Sequence, residues 1–167
     1  MRSFDSTTLP VLNRMYAFLL SKGEDSASEF SGFPVERCFY ACMFAENYFS
    51  ARSYEPVRWV FGYHKVFGSH VWLEFDGWVI DLTASQFPGI ASFLFYSKED
   101  TAVDFHSSFI IIDQGPFDSR FRESRIYREI SALVAEFTIS YPDRLSPLVL
   151  LSHAGDGTTP GSKFPVF

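Results

Sequence analysis

Three side chains in this sequence could do chemistry together if the fold made them neighbours: Cys38, His70 and Asp81. A thiol attacks an acyl carbon once an imidazole has taken its proton, and a carboxylate can hold that imidazole in one tautomer and stabilise its charged form. Cys38 follows Pro34 and stands near the expected start of a helix. There the backbone dipole and free amides favour a thiolate and offer an N–H to a developing oxyanion. His70 and Asp81 lie in "HVWLEF" and "WVIDL", two strand-like runs separated by Asp76-Gly77, a two-residue hairpin signal. With those residues as the turn, Phe75 faces Trp78, Trp72 faces Asp81 and His70 faces Thr83. His70 and Asp81 are then diagonal neighbours on one face, roughly 7–8 Å apart at the backbone.

Each of these residues also has a plainer role open to it. His70 and Asp81 could be a solvated pair on the outside of an ordinary hairpin, yet Trp72 and Val79 share that face and suit water poorly. Something is therefore expected to cover it in part and leave a cleft. Trp72 is either a wall of a substrate groove or a core residue. Cys38 could equally be a small buried residue on an apolar stripe, as Cys42 is expected to be one turn later. Gln86, five residues past Asp81, either donates a hydrogen bond near the site as oxyanion support or ties down the turn. Cys38, Cys42, His64 and His70 match no zinc spacing, so no metal or other cofactor is expected. His106 and His153 have no evident partners, and no phosphate-binding, dinucleotide or serine-nucleophile motif occurs.

The elements that must hold these groups read as helix, helix, strands, helix, an α+β order with an antiparallel sheet. Val11, Leu12, Met15, Phe18 and Leu19 form one stripe between Thr8 and Lys22, with Ser6 or Thr7 available as a cap. A second helix is expected over Arg37 to Arg52, with Cys38, Ala41, Cys42, Ala45, Tyr48 and Phe49 on one face and Glu46 and Asn47 turned away. Strands are expected over Val57 to Tyr63, His70 to Phe75 and Trp78 to Leu82, then more briefly over Ser92 to Ser97 and Phe109 to Asp113. A third helix is expected over Arg120 to Ile139, with Ile126, Ile130, Leu133, Val134 and Phe137 buried. Residues 1–151 suit one domain, and 152–167, rich in Gly, Pro, Thr and Ser, a loosely ordered tail.

A net charge of −6 repels phosphate and argues against a nucleic-acid partner, and no basic run suggests a membrane surface. The apolar residues of the N-terminus are interrupted by Asn13, Arg14 and Tyr16, which fits neither a secretory signal nor a membrane span. A cytoplasmic protein is expected, with its two cysteines unpaired. Twenty phenylalanines must fill a core or line a groove.

The order Cys, then His on a strand, then Asp on the next strand resembles the transglutaminase-like branch of the papain-like cysteine hydrolases. "FPVERCFYACMFAENYF" looks like the nucleophile helix of small bacterial members, and "VFGY" like the strand before their histidine. "SHVWLEFDGWVIDLTASQF" closely resembles their histidine–aspartate hairpin. The resemblance covers residues 33–87 and implies a papain/transglutaminase-like fold, a nucleophile helix packed on an antiparallel sheet with flanking helices. It makes Cys38 the nucleophile, His70 the general base and Asp81 its orienting partner. Relatives often have glycine two places before the cysteine, where this chain has Glu36. The activity implied is acyl transfer from a peptide, protein or amide substrate through a thioester. Release to water would make a peptidase or amidase, and release to an amine a transamidase or N-acyltransferase. The alternative is the same fold without effective catalysis, serving as a protein-binding module.

Overall fold

The computed structural model describes residues 8–52, 57–100 and 105–142. The expected tail over 152–167 and the caps at Ser6 or Thr7 lie outside them. The order of elements is α1 (Thr8–Gly23), α2 (Cys38–Ser50), β1 (Arg58–His64), β2 (Gly68–Phe75), β3 (Trp78–Asp81), β4 (Leu94–Ser97), β5 (Ile110–Pro116), α3 (Ser119–Arg122) and α4 (Arg125–Ser140). Single 3₁₀ turns stand at Ala84–Gln86 and His106–Ser108. The strands form one antiparallel sheet in the order β4-β3-β2-β1-β5, so the class is α+β.

Spacing explains α1, where Leu12, Met15, Phe18 and Leu19 recur on one side and are buried. Gly23 is its last residue and leaves room for the chain to cross closely: a Cβ there would stand 3.0 Å from that of Phe33. Helix α2 is different. Met43, Phe44 and Glu46 are buried along with Ala41, Cys42, Ala45, Tyr48 and Phe49, so the helix is covered on several sides. It packs on β2 and α4, and Phe18, Phe44, Tyr48 and Phe137 form a cluster of rings with centroids 5.4–5.7 Å apart. Most of the buried phenylalanines belong to this core.

That covering corrects the expectation for Glu46. It does not turn away but is 1% exposed, accepting hydrogen bonds from Ser50 (2.7 Å), Arg122 (2.9 Å) and Tyr127 (2.8 Å). The expected third helix is likewise two helices. The chain breaks before Ser124, whose hydroxyl accepts from the Tyr127 N–H and starts α4 afresh. Tyr127, Ile130, Val134 and Phe137 are its buried residues, while Ile126 and Leu133 are half-buried.

The hairpin has the register that its Asp-Gly bend calls for, with Phe75 opposite Trp78 and Leu73 opposite Ile80. Asp76 and Gly77 both have positive φ, 44° and 79°, as a two-residue turn matched to strand twist requires. Val71, Leu73, Phe75, Ile80 and Leu82 therefore face the main core beneath α2. The other face carries a second, smaller core of Val60, Trp72, Val79, Phe87 and Phe109, with Ile90, Tyr96 and Phe105 packed against it. Gly62 makes this layer possible, because a Cβ on it would come within 2.8 Å of the Trp72 ring.

Candidate active site

Asp81 is the last residue of β3, 2% exposed, and its carboxylate is met from two directions. Just past the strand the chain turns so that the backbone N–H and the hydroxyl of Thr83 both donate to Oδ1, at 2.9 and 3.0 Å. Across the hairpin, His70 Nε2 lies 2.6 Å from Oδ2, and from the 3₁₀ turn before β5, His106 Nε2 lies 3.0 Å from the same oxygen. Four donors thus converge on one carboxylate. Burial would raise its pKa, but the charge of His70 and the hydrogen bonds from His106 and His70 hold it well below the ordinary carboxyl range.

An ionised carboxylate only accepts, so both imidazoles carry their proton on Nε2. For His106, Nδ1 lies 2.7 Å from the Tyr96 hydroxyl, which donates to it when the ring is neutral. His70 has no such partner: its Nδ1 is buried and without a bond at hydrogen-bonding distance. The ring sits in an aromatic box, edge-on to Phe87 (4.8 Å between centroids) and stacked near Trp72 (6.0 Å). Burial pulls its pKa down, but the Asp81 charge and hydrogen bond, with smaller contributions from Cys38, raise it from 6.5 to about 9. Cys38 is near enough to contribute to that rise, on a ring whose Nδ1 is unspent.

Cys38 is the first residue of α2 and is half-buried, and Arg37 before it makes no capping bond with its side chain. Cys42 is buried, and its pKa is pushed well up by that burial first, then by Cys38 and Asp81, so it stays a thiol. Glu36, at the place where the resemblance implies glycine, has φ 57°, the left-handed conformation that glycine adopts freely, and its side chain is exposed.

Other expected site residues have more settled places. Gln86 uses its side-chain amide to donate to the Thr83 carbonyl at 3.1 Å, tying down the turn behind Asp81. Trp72 is 1% exposed, packed against the rings of His70 and His106, with its indole N–H donating to Glu74 at 3.4 Å. It does border a cavity of about 590 Å³, shared with Tyr96, Lys98, His106 and Phe109, but neither Cys38 nor His70 lines that space. The second face of the hairpin is thus covered in part, closed over His70 and left as a cleft at Trp72, Glu74 and Val79.

His106, expected to lack partners, holds two. A 3₁₀ turn has no periodicity that would announce it. The strand after Asp81 held a signal, since β4 pairs Val79 with Tyr96 and puts that hydroxyl on the aspartate's side. His64 accepts from the N–H groups of Val66 and Phe67 and stands apart from the cysteines. Among the described residues, His70, Asp81 and His106 have donor atoms close enough to hold a cation, all within 4.8 Å. Their 2.6 and 3.0 Å contacts are hydrogen bonds carrying protons where a metal would need lone pairs, so no metal centre is assigned. No helix among the described residues is long and apolar enough to cross a membrane.

Comparison with models of protein families, with curated proteins and with solved structures finds no significant match for this chain. Its functional reading therefore rests on the site itself.

Proposed function

We propose that the protein is a cysteine-dependent acyl-transfer enzyme of the transglutaminase-like, papain-like type, hydrolysing a peptide or amide through a Cys38–His70–Asp81 triad. One observation carries this reading. His70 spends Nε2 on Asp81 at 2.6 Å and keeps Nδ1 unbonded, and Cys38 contributes to the rise of its pKa.

In the proposed reaction Cys38 has already given its thiol proton to His70 Nδ1, where the raised pKa of the ring holds it at neutral pH, and the thiolate attacks the acyl carbon. The uncapped first turn of α2 offers a backbone N–H to the oxyanion of the tetrahedral intermediate. As that intermediate collapses, the carbon–nitrogen bond breaks and His70 Nδ1–H protonates the departing amine, leaving a thioester on Cys38. Water then gives one proton to His70 and adds its oxygen to the thioester, which releases the carboxylic acid and restores the thiolate. Asp81 keeps its negative charge throughout and offsets the imidazolium. An amine in place of water would give transamidation by the same steps.

Alkylation with iodoacetamide, followed by peptide mass spectrometry, tests the proposal. Cys38 should react at least about 100-fold faster than Cys42, whose thiol is buried. A peptide-like acyl electrophile should add at Cys38 alone. Equal, slow labelling of the two cysteines would sink the enzyme and leave a protein-binding module as the better description.

A further inference from the structure

The second histidine on the carboxylate has no place in that triad, yet it is built in. His106 is 5% exposed, and its two nitrogens are both engaged, one by Tyr96 and one by Asp81. Its Nε2 meets the same oxygen, Oδ2, that His70 uses. We propose that His106 is a positioning residue that holds Oδ2 of the Asp81 carboxylate from the side opposite the turn at Thr83 and tempers its pull on His70. Tyr96 fixes the tautomer in which His106 can donate. This rests on the triad reading for what His70 then does, while the effect on Asp81 and His70 stands on the geometry alone.

The physical basis is competition for one oxygen. Every donor to a carboxylate disperses its negative charge and lowers its affinity for a further proton. Oδ1 is already taken up by the two donors of Thr83, so Oδ2 is the oxygen left to His70. With His106 donating there as well, His70 shares that oxygen. Without it, the carboxylate would bind His70 more strongly, and the imidazolium would become a weaker acid toward a leaving amine. Other titratable groups near these rings are the thiols of Cys38, which acts on His70, and Cys42, on which Asp81 acts, with Glu74, Lys98 and Asp100 lining the cavity beside His106. Tyr96 lies beyond His106.

The readout is the titration midpoint of His70, followed by ¹⁵N NMR of the imidazoles in the full-length chain, which needs no substrate. It should lie at about 9 in the unaltered protein. His106→Leu should raise it by about one pH unit, and His106→Gln, which keeps an N–H donor, should return it to within a few tenths of the original. Tyr96→Phe, which frees the ring to take its other tautomer, should move it part of the way. A midpoint unchanged or lowered in His106→Leu, with only a lower melting temperature, would make the ring mere packing and overturn the proposal. So would equal shifts in the Leu and Gln variants. A stoichiometric zinc ion that survives chelator dialysis and disappears with His106 would overturn it too, in favour of a metal ligand. Failure of the triad reading shows elsewhere, in the alkylation rate of Cys38, and leaves the His70 midpoint free to decide the role of His106.

Discussion

Two carboxylates are buried among the described residues, Glu46 and Asp81, and they do opposite things with their surroundings. Glu46, inside α2, accepts from the hydroxyls of Ser50 and Tyr127 and from Arg122. None of those donors is a ring with a second nitrogen. Burial, followed by the hydrogen bond to Glu46 and its charge, pushes the Tyr127 hydroxyl up, so it keeps its proton and the cluster is inert. Asp81 is as well satisfied, but one of its donors is a ring with a second nitrogen, and that nitrogen is not spent. A buried, fully bonded acid is thus no mark of a reactive site by itself. In the proposed site the mark is a partner with two ends, one anchored on the acid and the other unbonded.

Substitutions can break this contrast, and the largest effect is expected at the sulfur. Cys38→Ser should lower acyl transfer by about 10⁴-fold or more, measured as loss of the thioester adduct, while thermal melting stays close to that of the parent. Next comes Asp81→Asn, which keeps the shape but removes the charge; acylation should fall by about 10³- to 10⁴-fold. The same variant should remove a pH dependence. His70, raised to about 9, stabilises the fold fully below its ordinary value of 6.5, and that contribution fades as pH rises through about 9. Asp81, with its pKa lowered, contributes above its ordinary value of 3.8 and loses that contribution as pH falls below it. Melting temperature in the parent should therefore decline between pH 6.5 and 9, and Asp81→Asn should flatten that decline.

Glu46→Ala tests the other half of the contrast. It strands the Tyr127 hydroxyl in the core and should cost on the order of 2–3 kcal/mol in chemical denaturation. Arg122 is half exposed and can turn to water, which keeps the loss from being greater. The alkylation rate of Cys38 should change by less than about twofold, because no reacting group is touched. The smallest effect is expected for Cys42→Ala, about 1 kcal/mol of stability from a small cavity and no change in Cys38 labelling. A loss of reactivity in Glu46→Ala as deep as in Asp81→Asn would erase the distinction between the two clusters.

The hairpin was legible because its bend is local chemistry: Asp76 and Gly77 fix a two-residue turn, and the turn fixes which residues share a face. The α+β order and antiparallel pairing followed from the same runs of β-branched and aromatic residues. Glu46 was not legible, since a helix pattern reports one stripe and α2 is enclosed on several sides by β2 and α4. The break before Ser124 was hidden for a related reason. The apolar spacing of "FRESRIYREI" runs through it, and the serine's cap bond had to compete with that pattern. His106 needed the pairing of β3 with β4, a long-range fact that no spacing in "DFHSSF" contains.

The tight bend at Asp76-Gly77 also sets a rule for change in this molecule. Because side chains alternate along a strand, one extra residue in the bend would invert everything after it, carrying the Asp81 acid through to the helix side while the oily faces traded places. Length at that corner is therefore as strict a requirement as any single side chain. Insertions that a surface corner would ordinarily absorb should be missing here from every functional descendant of the sequence.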